Sequence, residues 1–449
     1  MAEQKGAPRN STMTISFSAT PKYKDKLLFI KSLETLFVYI DGKYYRPVDV
    51  FNLRRDIWDH VNTMFPTARL TDSLVTDIQK QIPCSVKALD KLNDHYLAFD
   101  DCLFDCETLS TTSFDPKKIA TIYFPFKFSE IKDIETPVFS SFLNTVFVKK
   151  NNLEEPDQEL ISIIQQIFGY LLVPQMDACA AFFFVGEGSN GKSTITKLLE
   201  RVFGDEYISS FSLETLTLRA FASAGLIGKR INICNEEESK YMRSDKFKAM
   251  ISGDKISAER KFGNTFEFNP QTKFLFCTNQ MPTFDGINYG LKRRIKIIPF
   301  HRIFSDAEQD KKMSIKMNAE IGGIIYWALQ GLRTLVDNNY VFSYSSAMQE
   351  SLDDFVSEIS SPVMFFKECF QVDLESFVSN KDLYVVYSEW CKENNRKPFS
   401  SQKFHKELSK NLAVDSVVKW TPAGTLRGKN IKPLEENFDP MKKEIAIPF

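Results

Sequence analysis

The stretch AFFFVGEGSNGKSTITKLLERVF (181–203) restricts the possible folds more than any other part of the chain. An apolar run ends at Val185, a glycine-rich turn follows, and an amphipathic segment opens after Gly191. Gly186, Glu187, Gly188, Ser189, Asn190, Gly191, Lys192 and Ser193 fit the pattern GxxxxGK[ST], with Thr194 next in line. The glycines let successive backbone N–H groups converge on phosphate oxygens, and the helix N-terminus adds its positive end. Lys192 is expected to bridge the β- and γ-phosphates of ATP, and Ser193 to ligate Mg²⁺. The competing reading is a chance match in a loop, but strand, turn and helix all stand where a phosphate loop needs them. Such a unit belongs to an α/β sheet with parallel strands.

A chain of 449 residues exceeds one compact core and predicts more than one domain. The formal net charge of −1 gives no global attraction to nucleic acid, so any such surface must be local. The 8 cysteines have no CxxC spacing and there are only 4 histidines, so a zinc site is not expected. Cys234 and Cys277 fall inside apolar runs, as small buried residues in a reducing compartment do. No signal peptide and no bilayer-length apolar run is found. The expected setting has no membrane and is cytoplasmic, in a bacterial cell or at a viral replication site of a host cell.

Residues 1–20 are polar without a period and predict a disordered tail. Residues 21–150 predict an α+β domain, with a hairpin around Asp41-Gly42 (36–47) and a second strand pair in 95–110. Residues 151–340 alternate strands and helices. The strands are expected at 181–185, 231–234, 272–278 and 293–300, with a hairpin at 255–268. Residues 341–377 predict a helical connector, and 378–449 a winged-helix-like domain and tail.

A phosphate loop needs an acidic partner after a second strand, to hold Mg²⁺ and polarise water. KRINICNEEES (229–239) supplies it, with Glu236 the main candidate and Glu237 the second. Acidic capping of a helix N-terminus is the competing reading.

The segment FKAMISGDKISAERKFGNTFEFNPQTKFLFCTNQMPTFDGINYGLKRRIKIIPF (247–300) resembles the superfamily 3 helicase core, in particular the primase-helicases of poxviruses, phages and plasmids. The resemblance runs from Asp157 onward, and more weakly over 30–130. It implies an AAA+-like P-loop core, with Asn279 as a polar sensor after strand TKFLFCTN. Arg293 and Arg294 match the pair from which an arginine finger for the neighbouring subunit is drawn. Lys248, Gly253 and Asp254 match the signature before a DNA hairpin whose tip is Arg260-Lys261-Phe262-Gly263, with Arg260, Lys261 and Phe262 the candidate DNA contacts. On the residues alone, Asn279 also suits a turn, the arginines an edge strand, and the tip a plain exposed turn. Long members of the family carry a primase domain. No primase-type acidic constellation is found here, and primer synthesis is not expected of this chain.

In 381–395, Leu383, Tyr387 and Trp390 share one helical face, a second helix follows Ser400-Ser401, and 417–432 suits a two-stranded wing around Gly424. Between residues 400 and 433 stand seven basic residues against Glu407 and Asp415, with Lys403, Lys406, Arg427 and Lys429 the candidate DNA contacts. A solvated face that docks protein is the alternative. The sequence thus predicts an ATP-dependent DNA helicase of a mobile element, phage or virus. It is expected to act as a homo-oligomeric ring, a hexamer in the resembling family, on single-stranded and forked DNA, beside a separate primase or polymerase. The rival expectations are a P-loop ATPase that remodels protein or packages DNA, and a nucleotide-gated origin-binding module.

Overall fold

The computed structural model describes residues 9–434 apart from 93, 175, 236–240, 243, 260–264, 285–288, 395, 397, 413, 415, 422 and 423. The chain divides into two units, Met1–Pro282 with Arg293–Ala347, and Thr283–Lys292 with Met348–Phe449.

A 5-stranded parallel sheet forms the centre of the first unit. Its strands are β1 (Ala181–Val185), β2 (Ile208–Ser209), β3 (Ile231–Cys234), β4 (Lys273–Thr278) and β5 (Ile295–Pro299). They run in the order β2-β3-β4-β1-β5. β1 lies between β4 and β5, and the unbroken AFFF run, fully buried, suits a strand covered on both faces. Helix α1 (Gln158–Leu172) is capped by Asp157, whose Oδ1 accepts from Leu160 N at 2.9 Å. Helix α2 (Lys192–Phe203) follows the phosphate loop, and α3 (Ile321–Asp337) packs on α1. Gly169 and Gly331 let these two backbones touch: a Cβ at Gly169 would stand 2.6 Å from Ala328 O, and one at Gly331 would meet the backbone of Gln165.

Before this core come two 4-stranded sheets, and both expected hairpins are present. Asp41 and Gly42 turn the first with φ of 48° and 71°. The expected disordered tail is corrected in part. Asn10–Ser18 is a helix whose Met13 and Phe17 are buried with Leu53, Ile57, Val61, Val75, Ile78 and Ile82. One apolar pair four residues apart buries enough surface to dock the segment, yet it is too sparse to show as a period.

Polar contacts tie this region to the sheet. Arg230, just before β3, forms an ion pair with Asp94 and donates to Thr121 Oγ1 at 2.6 Å. The Arg230 and Asp94 side chains are 5% and 0% exposed. Glu320, also buried, accepts from Val138 N at 2.9 Å and Phe139 N at 2.8 Å, satisfying the free N–H groups that open helix Pro137–Val146.

The second unit holds helices Ser361–Cys369, Asn380–Glu393 and Ser401–Leu412. Strand Gly424–Lys429 pairs antiparallel with both Val417–Thr421 and Val378–Ser379. Phe365, Phe366, Cys369 and Phe370 share one core with Leu383, Tyr387, Trp390 and Phe404. The expected connector 341–377 is therefore corrected as well: its second half supplies core to the C-terminal unit, because the face of Asn380–Glu393 is covered by Phe365.

Candidate nucleotide site and nucleic-acid surfaces

The phosphate loop leaves the C-terminal end of β1 and is held from both sides. Gly186 N donates to Thr278 O on β4 at 3.2 Å, and Phe300 N, after β5, donates to Val185 O at 2.8 Å. Gly188, Ser189 and Gly191 have φ of 88°, 45° and 90°, the left-handed geometry that turns N–H groups inward. A Cβ at Gly191 would stand 2.8 Å from Val146 Cγ2, so this position has no room for a side chain. Phe304 N donates to Ser189 O at 2.7 Å, so the segment after β5 covers the loop.

Lys192 opens α2, is 7% exposed and donates from Nζ to Gly186 O. Burial pulls its pKa below the ordinary lysine value. Asn190 Nδ2 is a buried donor with no partner among the described residues. Cys277 lies beside Lys192 on β4, and burial pushes its thiol up to about 12, so it stays neutral. These groups face a cleft of about 1040 Å³, which Glu187 through Thr194, Asn235 and Asn279 line together. Asn235 follows β3 and Asn279 follows β4, so the loop and both polar positions meet at one sheet edge, where ligands of parallel sheets bind. Phe142, Val146, Phe304 and Met313 give the cleft an apolar side, and Lys311 adds a cation.

This cradle fits a nucleoside triphosphate with its magnesium. It offers inward-turned backbone, an amide donor without a partner among the described residues, a lysine whose Nζ donates to a backbone carbonyl, and Ser193 at the helix start. Glu236 and Glu237 lie outside the described residues. Phe142, Val146, Phe304 and Lys311 were not legible as site residues, since they stand on segments far from the motif in sequence.

Arg293 and Arg294 are not among the residues lining the cleft. They end helix Tyr289–Arg294 instead of opening the strand, which starts at Ile295. Arg294 Nε and Nη2 donate to Ser252 Oγ at 2.9 and 2.7 Å. Ile256–Glu259 and Thr265–Phe268 form the expected antiparallel hairpin. Its tip, with Arg260, Lys261 and Phe262, lies outside the described residues. Lys248 pairs with Asp245 at 2.8 Å, and Gly253 turns with φ of 67°.

In the C-terminal unit Lys403, Lys406 and Arg427 are exposed. Lys429 is not a surface contact, which corrects that expectation. It is fully buried, donating to Ser409 Oγ at 3.0 Å and Val414 O at 2.5 Å, because helix Ser401–Leu412 covers the root of the wing.

Comparison with known proteins assigns three parts of the chain. Residues 22–148 match the D5 N terminal like family, 184–294 a family of unknown function (DUF5906), and 362–439 the Poxvirus D5 protein-like family. The protein named "Putative helicase L207/L206" of Acanthamoeba polyphaga mimivirus is 28% identical over 241 residues, covering 51% of this chain and 24% of its own length. Primase D5 of fowlpox virus (strain NVSL) is 26% identical over 210 residues, covering 43% of this chain and 26% of itself. The chain thus spans about a quarter of these curated relatives. The apo structure of the NrS-1 C terminal region (305-718) aligns with a TM-score of 0.48 at 13% identity, over 93% of this chain and 99% of that one. The chain is thus similar to poxvirus D5-type proteins on both sides of its centre, and the relatives it matches are named helicase or primase.

Proposed function

We propose that the chain is an ATP-dependent DNA helicase of superfamily 3, working as a homo-oligomeric ring in viral or mobile-element replication. The observation that carries this reading is the cleft in which the phosphate loop, Asn235 and Asn279 meet at one sheet edge. Bound MgATP supplies a transferable phosphoryl group and charge to neutralise it. Lys192 exchanges its bond to Gly186 O for phosphate oxygens, and the cost of its burial falls when it is paired. Asn190 Nδ2 gains an acceptor. Ser193 and Glu236 would hold the metal, with Glu237 the second candidate for the acidic role, and Asn279 would orient the attacking water. Arg293 or Arg294 completes the site of a neighbouring copy, in keeping with their place outside their own cleft.

Arg260, Lys261 and Phe262 contact a single strand in this reading, where cations grip phosphate and a ring packs on base or sugar. The C-terminal unit acts as a winged helix in this reading, supported by helices Asn380–Glu393 and Ser401–Leu412 followed by the antiparallel pair Val417–Thr421 and Gly424–Lys429. Its exposed cations Lys403, Lys406 and Arg427 suit duplex DNA. The test is strand displacement of a forked duplex beside ATP hydrolysis. A helicase does both. Hydrolysis without displacement marks a remodelling or packaging ATPase, and DNA binding without turnover marks a nucleotide-gated binding module.

A further inference from the structure

The wing carries a tryptophan that neither the packing nor the nucleotide site uses. Trp420 is 82% exposed, whereas Trp390 in the same unit is 5% exposed and has its indole N–H on Glu368 at 3.0 Å. A ring this large left in water on an ordered strand is expected where a partner covers it. The register fixes its neighbours. Trp420 pairs with Thr425 and Val418 with Arg427, so Trp420 and Arg427 share one face of the wing, as diagonal neighbours. On the other face Lys419 Nζ lies 5.5 Å from the ring of Phe377. Neither Val417–Thr421 nor Gly424–Lys429 contains a carboxylate, and Lys403 and Lys406 stand exposed on a helix of the same unit. A flat apolar ring beside Arg427, on two strands that carry no carboxylate, is complementary to stacked bases flanked by phosphates.

We propose that Trp420 stacks on the exposed base at a junction where duplex DNA opens into single strands, with Arg427 holding the adjacent phosphate. This rests on the reading of the chain as a DNA helicase and adds a stacking contact where the duplex ends. Stacking and phosphate contacts separate by salt: an aromatic contact releases no counterion, an arginine–phosphate contact does.

The test measures binding of the full chain to forked, blunt duplex and single-stranded DNA at several salt concentrations, for wild type, Trp420→Ala, Trp420→Phe and Arg427→Ala. Trp420→Ala is expected to lose about tenfold in affinity for the fork, less for the blunt duplex, with the salt slope unchanged. Trp420→Phe is expected to recover most of that loss. Arg427→Ala is expected to lower the slope by about one. Equal fork affinity in Trp420→Ala overturns the inference alone, and so does a Trp420→Phe protein that binds as weakly as Trp420→Ala. A changed self-association with unchanged DNA affinity also overturns it and makes the wing a protein-docking surface. If the unaltered chain binds no DNA, the helicase reading falls too.

Discussion

The nucleotide cleft and the wing each bury a lysine, and the two lysines mean opposite things. Lys192 stands beside an open space of about 1040 Å³, next to an amide donor without a partner among the described residues. Lys429 is enclosed by Ser409 and Val414 within its own unit. A buried cation facing a cavity is poised to take a ligand, while one enclosed by carbonyl and hydroxyl oxygens is part of the packing. Burial alone does not tell the two apart; what the ammonium faces does.

The largest effect that can break this contrast is at the cleft. Lys192→Ala should lower ATP hydrolysis by about 10³-fold, measured by phosphate release, because it removes charge where the transferring group sits. Turnover near wild type would mean that the loop is not the active site. Arg294→Ala should also fall steeply, by as much as ~10³-fold, if its guanidinium leaves Ser252 to serve a neighbour. Mixing Lys192→Ala with Arg294→Ala, under conditions of subunit exchange, should then restore part of the activity. A mixture that stays as inactive as its components, for either arginine, would place the whole site within one chain.

At the wing the contrast sharpens. Lys429→Ala should destabilise the protein by about 1–3 kcal/mol, seen in thermal unfolding, because Ser409 and Val414 lose a buried donor. Its salt dependence of DNA binding should stay unchanged. A lowered slope in this variant would return Lys429 to the DNA surface.

The smallest effect is in proton linkage. Burial lowers the Lys192 pKa, so without nucleotide the folded chain loses this proton before the unfolded chain does. Between the folded value and the ordinary 10.5 the unfolded state binds more protons, and stability from this group rises with pH. Denaturant unfolding of wild type against Lys192→Met should therefore show any advantage of the methionine variant shrinking in that alkaline window. A gap that widens would mean that the ammonium is already paired in the folded chain.

What was legible in the sequence was local. The phosphate loop could be read because strand, turn and helix follow one another, and the hairpins because alternation and Asp41-Gly42 are contiguous. Long-range features were not legible. Arg427 and Lys429 are two apart and so share a strand face, but that face passes from solvent at the tip to cover by Ser401–Leu412 at the root. Counting basic residues cannot register this change. Likewise RRIKIIPF looks like one strand, yet the two arginines finish a helix before the apolar alternation takes over at Ile295. The apolar wall of the cleft comes partly from helix Pro137–Val146, which no motif announces.

The buried pair of Arg230 and Asp94 bears on how such proteins can be recombined. A boundary drawn between the N-terminal region and the parallel sheet by sequence similarity cuts through a single electrostatic unit. Grafting this sheet onto a foreign N-terminal domain would strand a guanidinium in an apolar interior, at a cost of about 3–5 kcal/mol. A viable chimaera must carry a carboxylate at the place of Asp94, or replace Arg230 with an apolar side chain in the same step.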